Sequence, residues 1–247
     1  TALPNSVTTI GDYAFCSCTA LIKIDIPPIE KLSKGVFMKC TSLSHLQIPS
    51  SVHYIDHSAF EECSSLLEIE IDQSVTSIGP YTFKSCKSLT SVKLPFNLVQ
   101  IESNIFESCS SLKQIAIPKS VKKIGPCAFN QCTSLSEVDI PPQVEEIGFF
   151  SFCGCTSLSK IKIPSSVKII GHKAFEGCFS LTEIKIPYSI ELIEESAFKG
   201  CISLKNIEIP DSVSFIEAYM FCNCTSLTHI KIPNSVESIE AFAFSCC

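Results

Sequence analysis

Cysteine is the residue type here that most invites a chemical reading. There are 16 in 247 residues, and a thiolate can act as a nucleophile, a redox centre or a soft metal ligand. Spacing decides among these roles. Eleven of them form one series: Cys18, Cys40, Cys63, Cys86, Cys109, Cys132, Cys155, Cys178, Cys201, Cys224 and Cys247. Each follows a phenylalanine by three residues, from Phe15 and Phe37 through to Phe244, with one step of 22 and then nine of 23. Residues that recur once per repeat stack in a column, so these thiols should lie about 4.8 Å apart and point the same way. A disulfide instead needs converging Cβ atoms at about 3.5–4.5 Å. The series is therefore expected to be reduced and structural, a small buried hydrophobe with a weak S–H donor.

Five cysteines lie outside the series: Cys16, Cys127, Cys153, Cys222 and Cys246. Three of them make Cys-x-Cys with a series member, a spacing that diverges on a helix and lacks the convergent partners of a zinc site. The histidines are His45, His53, His57, His172 and His229. His53 and His57, with Asp56 between them, come nearest to a metal pair, and they occupy variable positions near a turn that read as solvated surface. No glycine-rich phosphate loop and no nucleophile elbow is present. The serines before the leucines, such as Ser42 and Ser65, belong to the repeat. We therefore assign no catalytic residue, no cofactor-binding residue and no metal ligand, and expect a protein that is not an enzyme and needs no cofactor. A net charge of −6 and a pI near 5.4 argue against nucleic acid as a partner. No apolar run approaches the roughly 18 residues of a membrane span, so no membrane insertion by this segment is expected.

The elements that must position these residues follow from the same period. One unit reads V-x-x-I-G-x-x-A-F-x-x-C-x-S-L-x-x-I-x-I-P-x-S. Ala14, Phe15, Cys18 and Leu21 are spaced as on one helical face, which predicts a short helix or 3-10 stretch. Ile24 and Ile26 alternate as in a strand, and Pro27, which has no N–H, ends it. Val-x-x-Ile forms a second short extended piece. The next column holds Gly11, Gly79, Gly125, Gly148 and Gly171 but elsewhere Ser33, Asp56 and several glutamates, so its turn does not demand positive φ. A single unit cannot bury its inward face, and stacking does so instead. We expect one solenoid domain over residues 1–247, of about eleven 23-residue repeats, truncated inside a repeat at both ends.

The pattern is cleanest in Ile170-Gly171-His172-Lys173-Ala174-Phe175-Glu176-Gly177-Cys178 and onward, and it resembles the BspA-like (Treponema-type) leucine-rich-repeat family over essentially the whole chain. The resemblance implies an α/β repeat solenoid, a right-handed horseshoe or superhelix with a parallel β-sheet on the concave face and short helical or 3-10 segments on the convex side. It also implies a non-enzymatic protein-interaction module for surface adhesion or recognition of host or partner macromolecules, at the cell surface or secreted. The unpaired cysteines and the lack of a visible secretion signal keep a cytoplasmic alternative open, an intracellular leucine-rich-repeat scaffold or regulatory subunit.

Two surfaces are readable as candidate interfaces. The column between the paired aliphatics runs from Asp25 through Asp139 and Lys162 to Lys231 and sums to zero charge, a self-neutralising face. The column before the turn isoleucine is mostly polar but becomes Ile169, Leu192 and Phe215 in three successive repeats. In two of those repeats Phe179 and Ile202 replace the usual Thr or Ser after the cysteine. These five residues form the candidate interaction patch, for a protein or a cell-surface or matrix partner of unknown identity, with self-association as a further expectation.

Overall fold

The computed structural model describes residues 2–247. Its chain winds as a parallel β-solenoid with two ladders, and every strand-to-strand register is a step of one repeat. The first ladder carries the I-x-I pairs: Glu68–Glu70 beside Ser91–Lys93, then Gln114–Ile115, Glu137–Asp139 and Lys160–Lys162, and later Asn206–Glu208 beside His229–Lys231. Isolated bridges such as Lys162 to Lys185 and Glu183 to Asn206 carry it across the intervening turn. The second ladder carries the Val-x-x-Ile pieces, from Lys31–Leu32 and Tyr54–Ile55 to Phe215–Ile216 and Ser238–Ile239.

Between the ladders runs a column of aromatic rings. Successive phenylalanines from Phe15 to Phe244 stack with centroids 5.3–5.7 Å apart and planes within 17° of parallel. Phe37 through Phe221 are fully buried, each burial contributing about 1.5–3 kcal/mol. The recurrent serine of the P-x-S-V turn also holds repeats together. Ser74, Ser166 and Ser189 each donate to the valine carbonyl of the preceding repeat, at 2.8, 2.6 and 2.9 Å.

The expected α/β character requires correction. Among the described residues there is no α-helix and no 3-10 helix, and the A-F-x-x-C segment is a run of tight turns. Residues in the left-handed region recur two before and two after the phenylalanine: Ser58 (φ 58°) and Glu62 (φ 60°) flank Phe60, Cys127 (φ 54°) and Gln131 (φ 60°) flank Phe129. An L-residue incurs about 1–2 kcal/mol there, and such residues cannot continue a right-handed helix. The hydrogen bonds explain the choice. Phe37 N–H donates to Ala59 O (2.9 Å) and Lys39 N–H to Glu61 O (2.7 Å) in the next repeat, while Met38 and Cys40 N–H close turns onto Gly35 and Phe37. Alternate amides thus bond along the stack, where a helix of about seven residues would be too short to hold itself together.

The glycine column behaves as expected in one respect: Gly79, Gly125, Gly148 and Gly171 do not have positive φ. Close approach is what needs them. A Cβ on Gly148 would lie 2.8 Å from Gly125 C, Ile124 O and Pro126 N, all backbone of the preceding repeat. The four repeats carrying these glycines pair with the repeat before them. Among the described strands the second ladder is interrupted twice, after Ser77–Ile78 and after Leu192–Ile193. Both interruptions precede a repeat with glutamate at the glycine position, Glu102 and Glu217, but Asp56, Glu194 and Glu240 hold the same position in repeats that do pair.

Candidate functional site

The cysteine column is an internal fastener. Cys63 Sγ–H donates to Phe37 O at 3.1 Å, Cys132 to Phe106 O at 3.1 Å and Cys201 to Phe175 O at 3.3 Å, and the pattern runs from Cys40 to Cys247. The same phenylalanine carbonyls accept the amide of their own repeat's cysteine, so each thiol adds a second bond and ties it to the next repeat. All 16 thiols are free. Burial pushes the column thiols up, Cys40 to about 11 and Cys224 to about 12, and the fully enclosed Cys109 and Cys155 well above the ordinary range. A thiol so held is a poor nucleophile and a poor metal ligand.

The other five cysteines do not assemble into a site. Cys16, Cys153 and Cys222 occupy the position after the phenylalanine, and Cys127 and Cys246 occupy left-handed turn positions. Burial raises Cys153 to about 11 and raises Cys127 as well. His57 closes onto its neighbour: its N–H and its Nδ1 both lie on Asp56 Oδ1, at 2.8 and 2.6 Å, while Lys31 Nζ sits 2.6 Å from Oδ2. Partial burial works to raise the Asp56 pKa, but the Lys31 and His57 bonds and the Lys31 charge outweigh it and hold the carboxyl at about 2. Among the described residues no group of three or more His, Cys, Asp or Glu is placed to hold a metal ion.

What the solenoid does present is surface. The exposed positions of the first ladder line a groove of about 900 Å³ across Glu137, Asp139, Lys162, Lys185, Glu208 and Lys231, with Tyr188 and Pro210 on its wall and ladder isoleucines beneath. Tyr188 is 71% exposed, at a position after the turn proline that is mostly small or polar but is also aromatic at Phe96. Opposite charges do meet across repeats: Glu137 and Asp139 stand in register with Lys160 and Lys162 without closing an ion pair among the described residues, whereas Lys231 and Lys93 bond Glu208 and Glu70. On the second ladder, Lys123 reaches Glu146 at 2.8 Å and Lys168 reaches Glu191 at 3.1 Å. A smaller hollow of about 570 Å³ lies on the first ladder nearer the N-terminus, across Lys23, Asp25, His45 and Glu70.

The five patch residues fall into two sets. Ile169 and Leu192 are register partners on the second ladder, and Phe215 holds the same position one repeat on. Ile169 is half-buried, whereas Leu192 and Phe215 are 38% and 48% exposed. Phe179 and Ile202 are also exposed, but they stand in the turn after the cysteine, a different segment of the repeat.

This geometry has close counterparts. The model for the BspA type leucine rich repeat region matches residues 1–109, 65–178 and 145–247, which together span the chain. A leucine-rich repeat protein from Bacteroides ovatus superposes with a TM-score of 0.72 at 31% identity, covering 100% of this chain and 76% of that one. A leucine rich cell surface protein from Faecalibacterium prausnitzii does so with 0.71 at 29%, covering 99% and 78%. The T. pallidum leucine rich repeat protein is 32% identical with a TM-score of 0.59, over 64% of this chain and 77% of that one. A comparison with curated proteins found no match. Fold and sequence agree with these counterparts, the first two over essentially the full length of this chain, and the chain belongs to the BspA-type leucine-rich-repeat family.

Proposed function

We propose that the chain is a non-enzymatic protein-interaction module that recognises a partner macromolecule at a cell surface. The observation that carries this reading is the first-ladder groove of about 900 Å³, in which an exposed tyrosine and mixed charges stand over an aliphatic floor. That combination suits an extended polypeptide: apolar side chains fill the floor, and paired charges set register without a strong net field. The buried thiols and the absence of convergent metal-ligating groups among the described residues support a binding role over catalysis. The surface placement draws on the Faecalibacterium counterpart, which is described as a cell surface protein. Selection of displayed peptides on the immobilised chain tests recognition. Binders that lose about tenfold in affinity on Tyr188→Ala with Lys185→Ala are expected, and binders indifferent to both changes would contradict a site in the groove. Antibody labelling of intact cells tests placement, and a signal confined to permeabilised cells would contradict it.

The second reading, an intracellular scaffold, is favoured by the 16 free thiols. Alkylation of protein from its native source separates the two, because a scaffold in a reducing compartment retains every exposed thiol in reactive form.

A further inference from the structure

The second ladder carries a surface that the groove does not explain. Its pairing stops between Leu192–Ile193 and Phe215–Ile216 and resumes between Phe215 and Ser238. The core beneath is intact: Phe198 and Phe221 stack at 5.6 Å, and Cys224 Sγ–H reaches Phe198 O at 3.3 Å. The opening is therefore confined to the ladder, and its two lips carry the exposed Leu192 and Phe215. The residue two positions on shares the face of each lip residue. Ser238 Oγ–H donates to Glu240 at 2.7 Å, and Gln100 bonds Glu102 in the same relation. Around Leu192 and Phe215 that face holds Glu217 and Glu240, flanked by Glu191 and Glu237, while Glu194 turns its carboxylate back to accept the His172 N–H at 2.6 Å. Residues 191–195, 214–218 and 237–241 contain no lysine or arginine. Glu191 pairs with Lys168, whereas Glu217, Glu237 and Glu240 make no ion pair among the described residues.

We infer that this opening docks a basic protein segment, with one or two apolar side chains seated against Leu192 and Phe215 and lysines or arginines facing Glu217, Glu237 and Glu240. Charge complementarity selects that occupant. A second copy of this chain placed across a two-fold axis would set the same carboxylates against one another, and like charges at an interface work against association. The inference rests on the interaction-module reading but occupies a different ladder from the groove.

The probe is a fluorescent heptapeptide alternating lysine with leucine and phenylalanine, read by anisotropy against the full chain. A glutamate-for-lysine peptide and a serine-for-apolar peptide serve as controls. The lysine peptide is expected to bind, to weaken as salt rises from about 50 to 300 mM, and to exceed both controls by about tenfold or more. Leu192→Ser with Phe215→Ser, and separately Glu217→Lys with Glu240→Lys, should each reduce binding about tenfold while leaving the circular dichroism spectrum and melting midpoint in place. Unchanged binding in both variants overturns the inference, as does equal binding of the glutamate peptide. A concentration-dependent dimer in sedimentation that Leu192→Ser with Phe215→Ser abolishes also overturns it, in favour of a second copy. Loss of binding on Glu137→Lys with Asp139→Lys alone would move the site to the first-ladder groove, overturning the inference while leaving the module reading standing.

Discussion

Gly148 sets two general effects against each other, and the structure decides the sign. Its φ is not positive, so alanine can adopt its backbone conformation. On that ground alone Gly148→Ala should stabilise the chain by about 0.4–1 kcal/mol, by restricting the unfolded state. The added Cβ, however, would meet three backbone atoms of the preceding repeat at 2.8 Å. No side chain can swing aside there, because the opposing atoms belong to the turn at Ile124, Gly125 and Pro126. Relief requires the two repeats to part locally, against the ladder pairing of Glu146–Ile147 with Lys123–Ile124. Overpacking of this kind costs about 1–3 kcal/mol, so the net effect should be a loss of about 1–2 kcal/mol. Gly11 is the matched control, since a Cβ there meets nothing within 4 Å; Gly11→Ala should be neutral or slightly stabilising. Urea denaturation followed by circular dichroism reads both variants. Because repeat arrays can lose two-state behaviour, the comparison should rest on midpoint shifts at unchanged slope. A Gly148→Ala midpoint at or above that of the parent would refute the close-approach account of the glycine column.

Three further outcomes follow from the same geometry. Asp56 has a folded pKa of about 2, below its unfolded value, so its contribution is present above about pH 4 and fades as pH falls through about 2. Asp56→Asn should cost about 1 kcal/mol at pH 7, allowing for a side chain still 27% exposed; a cost that persisted undiminished at pH 2 would contradict this. Native alkylation at pH 7.5, mapped by peptide mass spectrometry, should mark Cys16, Cys18 and Cys246 while sparing Cys86, Cys109, Cys132 and Cys155 until the chain is unfolded; early labelling of Cys109 would contradict the buried column. Ser151 Oγ is buried without a hydrogen-bond partner in a column that is usually alanine. Ser151→Ala should therefore raise stability by about 1 kcal/mol, and a lowered urea midpoint would contradict that.

Much of this architecture was legible because a side chain's column is fixed by its period. Phe129, Cys132 and Leu135 are fully buried where the 23-residue spacing put them, and within the self-neutralising column Lys93 meets Glu70 and Lys231 meets Glu208. The helix was misread for a physical reason. Successive tight turns place Ala128, Phe129 and Cys132 inward at the same spacings as a helical face. The residues that break the helix, such as Tyr81, Cys127 and Lys173, have no intrinsic preference for the left-handed region. Their conformation is imposed by amides that bond the next repeat, a non-local cause. The patch was partly legible: Ile169, Leu192 and Phe215 share one column, but Phe179 and Ile202 belong to another segment. The opening beside Leu192 was not legible. Glutamate follows it at Glu217, yet Glu194 and Glu240 sit at the same position in paired repeats, so residue type alone does not mark where a ladder parts.

If the repeat is scaffold and recognition resides in the exposed side chains that depart from it, changing those side chains alone must abolish binding. Peptide display on the native chain, counter-selected on a chain carrying Leu192→Ser, Phe215→Ser and Tyr188→Ser, tests this most directly. Enriched peptides are expected to bind the native chain at least about tenfold more tightly than the altered one, with both chains melting alike. Enriched peptides that bind both chains equally would contradict it.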